Sequence, residues 1–185
     1  MQTDLSKYDN SWYNPGAGSF KRICWYIVNA TFFNSGLLPL SSLKVNILRG
    51  FGAEIGEGVN IKPYVNIKHP WLLKIGNHVW IGEGCWIDNL AKVSIGDHAC
   101  ISQGALLLTG NHDFSKPTFD LIVKEIHIQT GAWIGARSVV CPGVTCGSHS
   151  VLCVGSVATK NLEAYGIYQG NPAEKVKLRQ IENPA

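Results

Sequence analysis

The amino-acid sequence predicts an all-β protein: a parallel β-helix of about five coils, with an N-terminal helical region and one protruding loop. Three observations predict this fold. Aliphatic residues recur every six positions, the six-residue units recur in register every 18 or 20 positions, and one long segment interrupts the pattern.

The six-residue repeat is clearest over residues 55–67, 75–87 and 95–107, where an aliphatic residue starts each unit. After a break, aliphatic or small residues again lie six apart, at Ile128, Ile134, Val140, Cys146, Leu152 and Ala158. Six positions do not return to the same face of an α-helix, so the period indicates short strands separated by turns. With three strands in each coil, these anchor residues point inward and stack between coils.

The spacing of equivalent anchors gives the length of a coil. Ile55 and Ile75 lie 20 residues apart, which is three six-residue units plus a two-residue insertion, whereas Ile128 and Cys146 lie 18 apart. Glycine follows many anchors, as Gly76 does, and we expect it to supply a turn conformation that other residues resist. A β-sandwich with accidental spacing is the alternative, and this number of matches disfavours it.

The repeat divides the chain into three regions: an N-terminal helical or extended region at 1–50, the β-helix at 51–160 with its loop at 108–127, and a C-terminal extension at 161–185. Polar residues interrupt the apolar stretch 23–40, which lies too deep for a secretory signal, so we expect a helix packed on the body. The alternative is a peripheral membrane contact through Trp25, Tyr26, Phe32 and Phe33.

Composition excludes several classes of protein. The formal charge of +3 over 185 residues does not predict nucleic-acid binding, which needs a dense Lys/Arg face. The six cysteines form no C-x-x-C pair, so we expect reduced packing residues, no metal site and a cytoplasmic location.

Specific motifs add a resemblance. They are the run Trp133-Ile-Gly-Ala-Arg-Ser-Val-Val-Cys-Pro-Gly-Val-Thr, then Gly155-Ser-Val-Ala-Thr-Lys160, Gly170-Asn-Pro-Ala173, and the stretch Thr-Gly-Asn-His-Asp. With the repeats over residues 50–178, they resemble the bacterial transferase hexapeptide family, which includes the galactoside and maltose acetyltransferases. The segment Phe51-Gly-Ala-Glu-Ile-Gly and the Thr-Gly-Asn-His-Asp stretch most resemble those members of the family that act in exopolysaccharide biosynthesis. The resemblance implies a left-handed β-helix and a homotrimer with active sites between subunits, whereas general chain physics favours right-handed crossovers.

The long interruption contains the predicted catalytic residue. Ile128 follows Leu107 by 21 positions, and a long excursion from a compact repeat is usually functional. The resemblance implies that His112 is the base that deprotonates a sugar hydroxyl; a solvated surface histidine is the ordinary alternative. We expect Asp113 to orient the ring. Alternatively, a backbone carbonyl orients it and Asp113 caps the loop.

The resemblance also implies acetyl-CoA as co-substrate and a groove for it on the last coils. The residues it assigns to this groove are Ala136, Val154, Thr159, Lys160 and Lys177. For the acceptor we expect Trp86, Asp88 and Asn89, which lie at or beside a two-residue insertion. Trp80 and Trp133 could stack on a sugar or lie in the trimer interface.

Two histidines, His78 and His98, occupy equivalent turn positions one coil apart and should stack, and His149 occupies the equivalent position two coils later. Exposed turn residues are the favoured interpretation, and a metal ladder is the alternative. The predicted function is O-acetyl transfer from acetyl-CoA to a sugar or glycan, free or lipid-linked, in the cytoplasm or at the inner membrane face. The alternatives are an N-acetyltransferase on an amino-sugar nucleotide, a metal-dependent protein similar to carbonic anhydrases, and a non-catalytic scaffold.

Overall fold

The computed structural model describes residues 2–182, most of which form a parallel β-helix with three sheets as its faces. The first sheet contains β1 (Glu54–Ile55), β4 (Leu73–Ile75), β7 (Val93–Ile95), β12 (Ile126–Ile128) and β15 (Thr145–Cys146). The second contains β2 (Asn60–Ile61), β5 (Trp80–Ile81), β8 (Cys100–Ile101), β13 (Trp133–Ile134), β16 (Val151–Leu152), β18 (Gly166–Gly170) and, antiparallel at its edge, β19 (Ala173–Leu178). The third contains β3 (Asn66–Ile67), β6 (Trp86–Asp88), β9 (Leu106–Leu108), β14 (Val139–Val140) and β17 (Val157–Ala158). Five complete coils result, and Leu162 and β18 begin a sixth.

The predicted anchors form the core of the β-helix. In the second sheet Ile61, Ile81, Ile101 and Ile134 occupy equivalent positions in successive coils, and all four are buried. The six cysteines are free thiols, and burial raises the pKa of Cys85 to about 12. Stacked apolar side chains and the hydrogen bonds between coils therefore hold the prism together.

The glycines after the anchors have a different role from the expected one. Gly76 and Gly82 do not have a positive φ, so the prediction that they supply an unusual turn conformation is wrong. Instead, a Cβ at Gly82 would lie 2.6 Å from the backbone nitrogen of Gln103 in the next coil. These glycines are needed because successive coils approach too closely for any side chain.

In these turns the positive φ angles occur two residues after the glycine that follows the anchor. His78, His98 and His149 have φ values of 55°, 57° and 57°. The rings of His78 and His98 stack with centroids 5.2 Å apart, as expected, while His149 stacks on Tyr165 at 4.9 Å.

The N-terminal region closes the first coil. Helix α1 (Ser19–Val28) continues into a π-helical turn (Asn29–Phe33), and α2 (Ser41–Gly50) follows. Trp25 is buried and its Nε1 donates to the carbonyl oxygen of Ile67 at 2.8 Å, and Phe33 is buried beside it. A membrane contact through Trp25 and Phe33 is therefore wrong, whereas Tyr26 and Phe32 are exposed. No helix within residues 2–182 is long and apolar enough to cross a membrane.

The segment between β9 and β12 forms a hairpin. Strands β10 (Gly110–His112) and β11 (Leu121–Val123) pair antiparallel, with His112 opposite Leu121. A hydrogen bond from the Lys124 N–H to the Thr109 carbonyl, 2.9 Å long, joins the base of the hairpin. The hairpin therefore places His112 beyond the corner where the third sheet ends.

Candidate active site

The backbone of the hairpin orients the ring of His112. Its Nδ1 lies 2.9 Å from the carbonyl oxygen of Phe119 across the hairpin. Because a carbonyl can only accept a hydrogen bond, this contact assigns the proton to Nδ1. The neutral ring then has its lone pair on Nε2, and that nitrogen is the basic one.

Two aromatic rings pack on His112. The Phe119 ring stacks on it at 4.5 Å and 11°, and the Tyr8 ring lies at 5.6 Å and 58°. Phe119 has a φ of 53°, a strained conformation for a non-glycine residue, and its carbonyl is the one that faces His112. The Asp4 N–H donates to the Pro117 carbonyl at 2.8 Å, so the N-terminal segment is anchored to this hairpin.

Asp113 lies next to His112 in sequence but its carboxylate has other partners. It accepts hydrogen bonds from the backbone N–H and the hydroxyl of Ser115, and these bonds lower its pKa. Within residues 2–182 no hydrogen bond joins Asp113 to His112. The expectation that Asp113 orients the ring is therefore wrong for this structure: Asp113 caps the hairpin turn, and Phe119 supplies the acceptor.

A cavity of about 660 Å³ lies between α1 and the first two coils of the third sheet. Trp86 and Asp88, two of the residues expected to contact the acceptor, are part of its lining. Sequence reasoning missed its other polar and aromatic lining, which comes from α1 and from the first coil: Arg22, Tyr26, Lys68, His69 and Trp71.

Asp88 contributes a largely buried, ion-paired carboxylate to the lining of the cavity. The residue is only 9% exposed, and its Oδ1 lies 2.9 Å from Lys68 Nζ, within ion-pair distance but without the alignment of a hydrogen bond. The Asp88 carbonyl accepts from the Thr109 hydroxyl at 2.9 Å. The Thr109 bond connects Asp88 to the base of the His112 hairpin.

His69 lies in the same cavity as a neutral ring. Burial lowers its pKa to about 4, and the ring stacks on Trp71 at 5.1 Å. The Tyr13 hydroxyl donates to the Leu90 carbonyl at 2.8 Å and lies 3.5 Å from His69 Nδ1. His69 therefore supplies a polar but uncharged wall.

Asn89 does not face the cavity as an acceptor residue. It is fully buried, its Oδ1 accepts from the His69 N–H at 2.9 Å, and its Nδ2 donates to the His69 carbonyl at 2.6 Å. Both polar groups of the side chain are thus used by the backbone of the preceding coil. The prediction that Asn89 binds the acceptor is wrong, and the residue fixes the corner that holds Asp88.

The residues predicted to bind the cofactor occupy three places. Ala136 and Val154 lie on successive coils at the corner between the second and third sheets, where the Gly155 N–H donates to the Ala136 carbonyl at 2.9 Å. Thr159 and Lys160 are exposed just after β17, and Lys177 is exposed in β19 opposite Ile167. The structure thus brings Ala136 and Val154 together and places the lysines on different sheets.

The turn histidines and other possible ligands do not converge. Residues 2–182 contain no group of three or more His, Cys, Asp or Glu side chains that could hold a metal ion.

Comparison with known proteins identifies the family. No protein-family model matches the chain. It is 35% identical over 176 residues to the protein named as the colanic acid biosynthesis acetyltransferase WcaF of Escherichia coli (strain K12), which covers 95% of this chain and 97% of that protein. The chain belongs to the hexapeptide-repeat acetyltransferase family. The resemblance inferred from the sequence is thus confirmed.

Solved structures confirm the fold, including its left-handed coil. The hexapeptide-repeat acetyltransferase VCA0836 from Vibrio cholerae, complexed with acetyl coenzyme A, matches with a TM-score of 0.81 at 22% identity, over 90% of this chain and 92% of that one. A galactoside acetyltransferase in complex with coenzyme A matches with a TM-score of 0.76 at 23% identity, over 86% and 80%.

Proposed function

We propose that this hexapeptide-repeat acetyltransferase moves the acetyl group of acetyl-CoA to a sugar hydroxyl in exopolysaccharide or surface-glycan biosynthesis, with His112 as general base. The observation that supports it most is the contact between His112 Nδ1 and the Phe119 carbonyl, which leaves Nε2 as the basic nitrogen. The bound acetyl-CoA of VCA0836 supports the donor, and the name of WcaF supports a glycan acceptor.

The reaction needs no covalent enzyme intermediate. His112 Nε2 takes the proton of the acceptor hydroxyl as its oxygen attacks the thioester carbonyl carbon. The tetrahedral oxyanion then collapses, the carbon–sulfur bond breaks, and the coenzyme A thiolate takes the proton back from Nε2. During this step the Phe119 carbonyl stabilises the imidazolium through Nδ1–H.

The cofactor groove is proposed at the corner formed by Ala136 and Val154. The Ala136 N–H donates to no group among the described residues, so it is free to bind the thioester oxygen as charge develops. Thr159, Lys160 and Lys177 are proposed to bind the polar end of coenzyme A, with the two lysines near its phosphates.

The acceptor is proposed to occupy the cavity lined by Trp86, Asp88 and Arg22. An indole face suits the apolar face of a sugar ring, and the Asp88 carboxylate can accept from a ring hydroxyl. Asp88→Asn should therefore raise the KM for the acceptor at least tenfold and leave the KM for acetyl-CoA unchanged. A variant whose KM for the acceptor equals that of the parent would contradict this assignment.

We also propose a cytoplasmic homotrimer with active sites between subunits. Trp80 and Trp133 point outward at equivalent positions of the second sheet, with Cys100 between them, and Trp86 and Leu106 do so on the third. These aligned side chains reach the surface of a single chain, and contact with a second copy would bury them. Light scattering at micromolar concentration should give the trimer mass, and a monomer would contradict the proposal.

The proposed chemistry can be tested directly. The purified protein is incubated with labelled acetyl-CoA and a panel of neutral sugars, amino sugars, amino-sugar nucleotides and lipid-linked oligosaccharides. We expect label in a product that mild alkali releases, as it does an ester. An alkali-stable amide product would instead establish N-acetyl transfer, and no product with any acceptor would contradict the proposed function.

A further inference from the structure

The N-terminal helical region differs in charge from the rest of the chain. Residues 10–53 contain four basic residues, Lys21, Arg22, Lys44 and Arg49, and no Asp or Glu. The whole chain has 16 basic and 13 acidic residues, so the remainder has 12 and 13. Lys44 is buried, and the other three lie at or near the surface. The region is therefore a local cationic surface on a nearly neutral protein.

The same region exposes large apolar side chains. Phe20, Ile23 and Ile27 are spaced three and four apart on α1, so they form one stripe of the helix, and Phe20 is 83% exposed. Trp25 points the other way, into the body. Leu37 and Leu40, which precede α2, are also exposed. We call Phe20, Ile23 and Ile27 the apolar N-terminal surface.

We propose that the apolar N-terminal surface binds an anionic lipid bilayer, with α1 lying in the headgroup region. The combination of an apolar stripe with cations and no Asp or Glu in residues 10–53 is the pattern of helices that bind anionic membranes in the interfacial plane. A ten-residue helix is about 15 Å long and can lie flat there. The charge pattern favours this occupant over a second copy of the chain, whose own surface is nearly neutral.

The position of the surface connects it to the acceptor cavity. Ile23 and Tyr26 of α1 line that cavity together with Trp86 and Asp88. A bilayer under α1 would therefore lie beside the cavity. Resting on the proposed function, this arrangement specifies the acceptor: a glycan carried on a membrane lipid, whose sugar enters the cavity while its lipid stays in the bilayer.

Vesicle binding by the full-length protein tests the surface. The double variant Phe20→Ser/Ile27→Ser removes two exposed residues that do not line the cavity. The matched control Val176→Ser/Leu178→Ser removes two exposed apolar residues from β19, at the other end of the prism. Sedimentation is measured with vesicles of phosphatidylglycerol and phosphatidylcholine, and with vesicles of phosphatidylcholine alone.

We expect the parent and the β19 control to bind the anionic vesicles, with weaker binding at high salt, and the α1 variant to bind at least tenfold more weakly. Parent protein that stays in the supernatant, equal binding of the α1 variant, or equal binding to both vesicle types would overturn the proposal. A loss of oligomer mass in the α1 variant would also overturn it, because the surface would then be a subunit contact.

The proposed function has a separate readout. With a water-soluble acceptor, the α1 variant should transfer acetyl at the parent rate, whereas with a lipid-linked acceptor in vesicles its rate should fall at least tenfold. Normal vesicle binding without any transfer would contradict the proposed function and leave the surface assignment standing. An equal rate with the lipid-linked acceptor would contradict the acceptor inference.

Discussion

Replacing Asn89 by Ala should destabilise the protein without weakening acceptor binding. The side chain is fully buried and makes two hydrogen bonds to the backbone of His69, at 2.9 and 2.6 Å. The substitution leaves the buried His69 N–H unpaired, which costs about 1–3 kcal/mol, whereas the His69 carbonyl keeps the hydrogen bond from the Leu72 N–H at 3.0 Å. The expected loss in the free energy of unfolding is therefore about 1–3 kcal/mol.

Urea denaturation at a fixed protein concentration measures this loss, because the stability of an oligomer depends on concentration. The KM for the acceptor, determined at a temperature where the variant is folded, should stay within about twofold of the parent value, since Asn89 faces the coil rather than the cavity. Asn89→Asp is a second test: it keeps the acceptor for the His69 N–H but turns a carboxylate oxygen toward the His69 carbonyl, so at neutral pH it should be no more stable than the Ala variant. Unchanged stability with a tenfold higher acceptor KM would refute the reasoning and make Asn89 a substrate contact.

Three further predictions follow from other residues. Asp113→Asn should keep the turnover number and its pH profile within about twofold of the parent, because the carboxylate accepts hydrogen bonds from Ser115 and not from His112. A tenfold loss of turnover in steady-state assays would instead show that Asp113 acts through His112. Burial lowers the pKa of His69 to about 4, so the unfolded chain binds more protons between about pH 6.5 and pH 4, and stability should fall as pH falls through this window. Allowing for solvent in the cavity, denaturation at pH 7 and pH 5 should show a loss of about 1 kcal/mol that His69→Gln abolishes, and an equal loss in both proteins would contradict it. Lys160→Glu/Lys177→Glu should weaken coenzyme A binding at least tenfold by calorimetry with little change in stability, since both side chains are exposed; unchanged affinity would remove them from the cofactor site.

The sequence was sufficient to predict the β-helix because the aliphatic residues that repeat along the chain are the ones buried in its interior. Each anchor, such as Ile81 or Ile101, lies beside its counterparts in the neighbouring coils. The spacing of the anchors along the chain is therefore the length of one coil. The hairpin was predictable as an interruption of that pattern. The role of the glycines was not, since close approach between coils depends on atoms about 20 residues away.

The site was less predictable where it depends on contacts outside the repeat. Asp113 is adjacent to His112, yet Ser115 is two residues away and satisfies the carboxylate locally. Tyr8 packs on His112 from a segment with no periodic signal. The wall formed by His69 depends on burial by α1 and Trp71, which no local pattern reveals.

His112 Nε2 is the proposed base in acetyl transfer. The most direct measurement is the turnover number of His112→Ala in a labelled acetyl-CoA transfer assay, made together with the affinity for coenzyme A by calorimetry. We expect a loss of about 10²–10⁴ in turnover with coenzyme A affinity unchanged, because the ring contributes to proton transfer and not to cofactor binding. A variant that turns over within tenfold of the parent while remaining folded would contradict it.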